Sequence, residues 1–504
     1  MGFVNSVMVW LMTKRMHQIE LYKKYPIEVQ NDLFKKLISA AENTEWGKHY
    51  NYKSIKSREE YQKNVPVSDY DALKPYIERI QEGEQNVLWA SDIKWFAKSS
   101  GTTSDKSKYI PVSPESLEDC HYKGGKDMLA IYCTNFPDTK MYDGLNLALG
   151  GSHQVNELDM TKYYGDVSAI IIENLPFWAE LYRTPKKEVA LLDEWEEKIT
   201  KIVEHTVTQN VTSVAGVPSW ISVVMRKVLE YTGKDTIKEV WPNLELYFHG
   251  GVNFAPYRKQ TEALIGSPSI NYMNIYNASE GYFGIQDQID CDDLLLLLDN
   301  GVYYEFLPMD EVGKEFPQAI QLQDVEIGKN YAIVISTNAG LWRYVIGDMV
   351  SFTSKTPYRI KITGRTKSFI NVCGEEVIVD NTDKALKIAC DRTNAVVNEY
   401  SAAPYFYADE KIAHQWIVEF IKEPESIEYF ATVLDDALKS LNSDYEAKRY
   451  KDFVLKPLIV ENAPKGTFYQ WLQENNRLGG QNKVPRLSNE RKHVEGLLKT
   501  ISRM

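Results

Sequence analysis

The ten residues Ser99-Ser100-Gly101-Thr102-Thr103-Ser104-Asp105-Lys106-Ser107-Lys108 crowd hydroxyl side chains around a single glycine and end on two lysines. Glycine lets a backbone approach an anion closely, N–H and O–H groups donate to its oxygens, and Lys106 and Lys108 supply charge. That chemistry suits a phosphate. A flexible Ser/Thr loop with solvated lysines would use the same residues, however, and the stretch is not a Walker A loop, which needs G-x-x-x-x-G-K-[ST]. By itself it leaves both readings open.

Two later segments add to it. In Tyr276-Asn277-Ala278-Ser279-Glu280-Gly281 a carboxylate follows a small residue and a hydroxyl. Glu280 has the chemistry to hold Mg2+, an ion typically bound by one or two carboxylates plus substrate phosphates. The plainer reading is a surface turn with a solvated glutamate. In Arg343-Tyr344-Val345-Ile346-Gly347-Asp348 a strand-like run ends on an acid. Ionised aspartate only accepts hydrogen bonds, so Asp348 suits the two hydroxyls of a ribose, or else it pairs with Arg343.

The rest of the chain bounds these readings. Its 504 residues, 43% hydrophobic and 25% charged, can bury one large core and leave material for a second domain. A net charge of −12 argues against nonspecific nucleic-acid binding, which needs a basic footprint. The cysteines Cys120, Cys133, Cys291, Cys373 and Cys390 are dispersed without C-x-x-C spacing. Neither a disulfide framework nor a zinc site is expected, and a reducing cytoplasm fits best. Residues 3–12 are mostly apolar but too few to span a bilayer. Lys14 and Arg15 follow that run instead of preceding it, unlike a signal peptide. A packed N-terminal helix is expected there, with contact to a membrane surface as the lesser alternative.

Secondary structure is clear in only some places. Residues 294–298, then Asp299-Asn300-Gly301, then 302–307 read as strand, tight turn, strand, and 331–337 as another strand. After Gly364-Arg365 the character changes. Residues 416–420 read as a strand, and Ile427, Phe430, Ala431, Leu434, Ala437, Leu438 and Leu441 recur at helical spacing. Residues 453–460 return to strand character, and Thr467 with Gln470 three residues later has the form of a capping box opening a last helix. This succession predicts a small α+β domain.

Taken in order, S-S-G-T-T at 99–103, Y-N-A-S-E-G at 276–281 and R-Y-V-I-G-D at 343–348 resemble the nucleotide motifs of the adenylate-forming, firefly luciferase-like superfamily. The closer resemblance is to a bacterial-type member of its Gretchen Hagen family of acyl-acid amido synthetases. Gly364-Arg365-Thr366-Lys367 is similar to that family's interdomain hinge, and Asn482-Lys483-Val484-Pro485-Arg486 to its C-terminal lysine segment. The resemblance covers nearly the whole chain, with one departure at Asp105, where many members have glycine.

The resemblance implies an α/β fold, with a large N-terminal α/β domain of the adenylate-forming type, including a β-barrel-like part, over residues 1–365. A small C-terminal α+β lid would follow over 366–504. ATP, AMP and Mg2+ are the implied cofactors. Ser99, Ser100, Gly101, Thr102 and Thr103 would contact the ATP phosphates, and Ser279 and Glu280 would serve the α-phosphate and Mg2+. Tyr276 and Ala278 would touch the nucleotide, Gly250 and Gly251 would lie against adenine, and Asp348 would bind ribose. Arg365 would be the hinge cation, and Lys483 would swing in to neutralise the transferring phosphoryl group. Thr102, Glu280 and Lys483 make up the implied catalytic set, with Glu280 as the metal ligand.

The implied activity is ATP-dependent adenylation of a carboxylic acid followed by transfer to an amino acid. The partners are small molecules, with no nucleic acid and no integral membrane segment, and a monomer is expected. Alternatives are an acyl-CoA ligase of the same superfamily or a noncatalytic nucleotide-binding member. His153 and His249 lie near glycines, but a lone histidine is more often structural, and no general base is evident. By analogy, residues 149–153 and 217–220 are pocket candidates.

Overall fold

The computed structural model describes residues 3–99, 108–151, 153–155, 162–192, 194–251, 254–289, 291–366, 368–370, 372–373, 375, 377–407, 411–449, 455–475 and 484–504. Four short strands, Leu145–Ala148, Val211–Gly216, Leu246–Gly250 and Asn271–Ala278, pair in parallel. Their register sets Ala148 opposite Ala215, Gly216 opposite His249 and Gly250 opposite Ile275. Parallel pairing requires crossovers. The helices Trp195–Thr206, Pro218–Thr232 and Ala255–Ile265 supply them, and Pro218 opens the second, where its fixed φ suits a first helical turn. One sheet face buries Val214 and Tyr247 against Ile221, Val224 and Met225. On the other, Phe248 meets Tyr132 of the helix Lys123–Asn135 edge to face, ring centroids 6.2 Å apart. Both faces of these strands are thus covered, as is usual for parallel pairing.

Ser279 and Glu280 turn the strand Asn271–Ala278 back into Gly281–Gln286, with Gly281 opposite Ala278. Antiparallel strands continue from there, making one sheet of twelve strands. Strands form at Leu294–Leu296 and Val302–Pro308, but not as a hairpin with each other. The first pairs with Gly281–Gln286 and Tyr358–Arg365, the second with Ile320–Gln321 and Asn330–Thr337. Between them the Gln30 amide donates to Leu298 O at 2.7 Å and Val302 O at 3.0 Å. The Asp299 carboxylate is taken by Arg15 and Lys123. A second sheet of four strands holds the hairpin of Trp95–Ser99 with Lys108–Val112, closed by Ser99 opposite Lys108.

The chain falls into two compact units, one built from residues up to Ile346 with Ser351–Lys361, the other from Gly347–Val350 with Ile362–Met504. In the second, Val396–Phe406, Ile412–Lys422 and Ile459–Ala463 form a three-stranded sheet. Tyr400 stacks on Trp416 in its core at 5.2 Å. The helix Ile427–Leu441 is capped by the Ser426 hydroxyl, which accepts from Tyr429 N–H, and buries Phe430, Val433, Leu434, Ala437 and Leu438. The expected strand over 453–460 is shorter and later, beginning at Ile459, and residues 453–454 lie outside the described set. Thr467 is not a capping-box residue. Gly466 is the N-cap, Thr467 is the first helical residue, and its hydroxyl donates back to Pro464 O at 2.7 Å. Nor is Thr467–Glu474 the last helix, since Lys492–Ile501 follows.

The apolar N-terminal run is the helix Phe3–Lys14, seated by buried Asn5, whose amide donates to Thr139 O and whose carbonyl accepts from Tyr142 N–H. Among the described residues no helix is long and apolar enough to cross a membrane.

Candidate active site

In a sheet of this kind, ligands bind beyond the carboxyl ends of the parallel strands. Four chain segments reach that edge: Gly150-Gly151, Gly216-Val217, Gly250-Gly251 and Ala278-Ser279-Glu280. The two glycines of the third are required for different reasons. A Cβ on Gly250 would lie 2.5 Å from Ile275 O on the neighbouring strand, so only glycine fits between these backbones. Gly251 has φ +79°, the left-handed region that side chains avoid. Ser279 is buried and Glu280 half-buried at the two-residue turn beside them.

The structure therefore brings Gly250, Gly251, Tyr276, Ala278, Ser279 and Glu280 onto adjacent strand ends. Ser99 closes the base of its own hairpin in the four-stranded sheet. Ser100, Gly101, Thr102, Thr103 and Lys483 lie outside the described residues.

Asp348 and Arg365, in the second unit, pair with each other, Arg365 Nε donating to Asp348 Oδ1 at 2.8 Å. Arg343 is buried and forks onto Glu305 with two contacts of 2.9 Å, and it also donates to the carbonyls of Gln62 and Val65. Arg365 is half exposed, so water screens its pair with Asp348 and it adds little stability.

Sequence reasoning missed two residues. His121, in a π-helical turn over Leu117–Tyr122, is buried with Nδ1 3.2 Å from Asn277 Oδ1. Burial pushes its pKa down to about 4. Its neighbour Cys120 accepts the Tyr282 N–H, so this turn braces the strand leaving Glu280. The second is Lys198, buried on Trp195–Thr206, whose ammonium donates to Gly150 O at 2.8 Å and Gly151 O at 2.9 Å. It holds the turn leaving the first parallel strand. A lone histidine and a lysine in an amphipathic helix give no local signal of such contacts.

His249 is buried, stacks on Phe254 at 4.0 Å, and is pushed down to about 3 by burial and, secondarily, by Arg258. Its burial and its stacking on Phe254 suit the structural reading. His153 lies in the strand His153–Val155.

Among the described residues no cluster of three or more His, Cys, Asp or Glu could cage a metal. Glu280, next to the hydroxyl of Ser279, fits a cation held chiefly by the phosphates of its ligand.

Residues 15–270 match the GH3 family N-terminal domain. This chain belongs to the GH3 family. The GH3 central domain matches residues 295–365 and the GH3 C-terminal domain residues 380–492. Among curated GH3 proteins, the indole-3-acetic acid-amido synthetase GH3.3 of Arabidopsis thaliana is 24% identical, covering 91% of this chain and 89% of its own. The jasmonoyl-L-amino acid synthetase GH3.5 of Oryza sativa subsp. japonica is 23% identical over 94% of each. Of solved structures, GH3.15 acyl acid amido synthetase superposes with a TM-score of 0.79 at 16% identity, covering 97% of this chain and 96% of that one. A 2-hydroxyisobutyryl-CoA ligase in its postadenylation state, bound to 2-HIB-AMP, gives 0.60 at 13% identity, covering 94% and 92%. At these identities the likeness is one of fold: the GH3 chain has the α/β architecture of adenylate-forming ligases.

Proposed function

We propose that this chain activates a carboxylic acid with ATP as its acyl-adenylate and passes the acyl group to an amino acid, forming an amide and releasing AMP and pyrophosphate. The observation that carries this reading is the meeting of Gly250, Gly251 and the Ser279-Glu280 turn at the carboxyl edge of the parallel sheet, in a GH3 chain. A carboxylate attacks the α-phosphorus in line as pyrophosphate leaves, and negative charge gathers on the phosphoryl oxygens. Donors fixed where that charge develops lower the barrier. Ser99, Ser100, Gly101, Thr102, Thr103 and Ser279 supply them, and Lys483 adds a positive charge. Glu280 is the residue that would hold Mg2+, which when bound neutralises phosphate charge.

Gly250 and Gly251 admit the adenine face, Tyr276 and Ala278 pack the nucleotide, and Asp348 accepts from the ribose hydroxyls. Residues 1–365 act as the ATP- and acyl-binding domain. Residues 366–504 act as the mobile domain carrying Lys483, with Arg365 at the hinge. In the second step the amine attacks the activated carbonyl, displacing AMP. The five unbridged cysteines support a reducing, cytoplasmic setting, and because one chain carries every named residue, a monomer suffices.

The test is a mass-spectrometric screen of carboxylic acids with ATP and either mixed amino acids or CoA, alongside carboxylate-dependent pyrophosphate exchange. Amide products and exchange are expected. A CoA thioester as the product would overturn the acceptor assignment, and absence of exchange would overturn adenylation.

A further inference from the structure

Lys483 is followed directly by Val484-Pro485-Arg486-Leu487-Ser488, and this stretch is laid along the open edge of the strand Val396–Phe406. Ala402 N–H donates to Arg486 O at 2.7 Å, and Ser488 N–H donates to Ala402 O at 3.2 Å. The Ser401 hydroxyl donates to Pro485 O at 2.7 Å, and Leu487 bridges Ala402 in parallel. Backbone bonds of this kind permit register slips, because every residue of the stretch except Pro485 offers the same donor and acceptor.

The side chain of Arg486 removes that freedom. Its Nη1 lies 2.7 Å from both carboxylate oxygens of Asp383, and its guanidinium sits over the Tyr400 ring, 5.2 Å from the centroid. The Tyr400 hydroxyl donates to Asp383 Oδ1 at 2.7 Å and also meets the Thr382 hydroxyl at 2.7 Å. Both charged groups are largely withdrawn from water, with side chains 15% and 5% exposed. A buried ion pair is a weak source of net stability compared with apolar packing, but it strongly penalises any arrangement that leaves one charge unpaired. Such a pair serves register better than it serves stability. A slip of one residue would carry the segment about 3.3 Å along the edge and strand Asp383 without its partner.

We propose that Arg486 is a positioning residue: its pair with Asp383 fixes the register of residues 484–488 and thereby the point from which Lys483, three residues upstream, is presented. This rests on the reading of Lys483 as the cation of the adenylation step.

The test is a double-mutant cycle on the full-length chain. Carboxylate-dependent pyrophosphate exchange is measured for the native chain, K483A, R486A, K483A/R486A and R486K, with a thermal melt of each. R486A is expected to lower kcat ~10- to 100-fold, the scale set by ångström misplacement of a catalytic group, with little change in KM for ATP. The double variant is expected to be no slower than K483A, and R486K, which keeps the charge, to fall between native and R486A. R449A serves as the stability control, because it breaks another buried pair of this unit, Asp435–Arg449, and should lower the melting point while leaving kcat unchanged.

If R486A does not fold, R486K and its double variant with K483A carry the same cycle. Losses that multiply in the double variant, or a native kcat in R486A, would overturn the positioning role while leaving Lys483 intact. A native rate in K483A would instead remove the reading of Lys483 on which the proposal stands.

Discussion

Gly250→Ala tests whether the meeting of two strands at the site depends on a missing side chain. The new Cβ would stand 2.5 Å from Ile275 O and 2.9 Å from Ile275 Cγ1. Carbon–oxygen contacts between strands settle near about 3.3–3.6 Å, so the strands Leu246–Gly250 and Asn271–Ala278 must part by roughly an ångström at this end. The isoleucine side chain can rotate away, whereas its carbonyl cannot move without the strand. Overpacking of this size costs about 1–3 kcal/mol. The same displacement carries Tyr276 to Glu280 out of place, and ångström errors at a reacting centre cost on the order of 100-fold in rate.

Urea unfolding and pyrophosphate exchange would therefore both respond to G250A. Gly125→Ala is the control: nothing lies within 4 Å of its Cβ, so in the helix Lys123–Asn135 it should stabilise by roughly 0.5–1 kcal/mol. A G250A protein with native unfolding midpoint and native exchange would refute the reasoning.

Further outcomes follow from other residues. Glu280→Ala should abolish Mg2+-dependent pyrophosphate exchange, and exchange that still titrates with Mg2+ would remove its metal role. Loss of charge-assisted hydrogen bonds to ribose in Asp348→Ala should weaken AMP binding by ~10- to 100-fold by calorimetry, whereas an unchanged Kd would argue against that role. His121 and His249 are held neutral, at about 4 and about 3, against about 6.5 when unfolded. Their contribution to stability is therefore complete above pH 6.5 and lost as pH falls toward those values, by up to roughly 3 to 5 kcal/mol each. Urea midpoints flat from pH 7 to 4 would contradict this.

The readable parts of the chain were those whose physics is local. Hydroxyls, glycines and carboxylates within a few residues of one another mark 99–108, 276–281 and 343–348 as candidate segments without a fold, although the residues alone left a plain loop or turn open at each. The helix Ile427–Leu441 was legible for the same reason, because one buried stripe must repeat at the helical period. Pairing was not local. Arg343 found Glu305, 38 residues away, and His121 found Asn277 across 156 residues. The strands at Leu294–Leu296 and Val302–Pro308 were visible as strands, yet each pairs with other strands and not with its expected hairpin partner.

Sequence alone thus determined the order of the candidate segments and the family they resemble, because residue type and spacing are written there. Only the tertiary structure decided that Gly250 must be glycine, that His249 is buried against Phe254, and that Arg486 answers Asp383. Each of these depends on a partner brought near by sheet register and burial, and no spacing rule encodes such a partner.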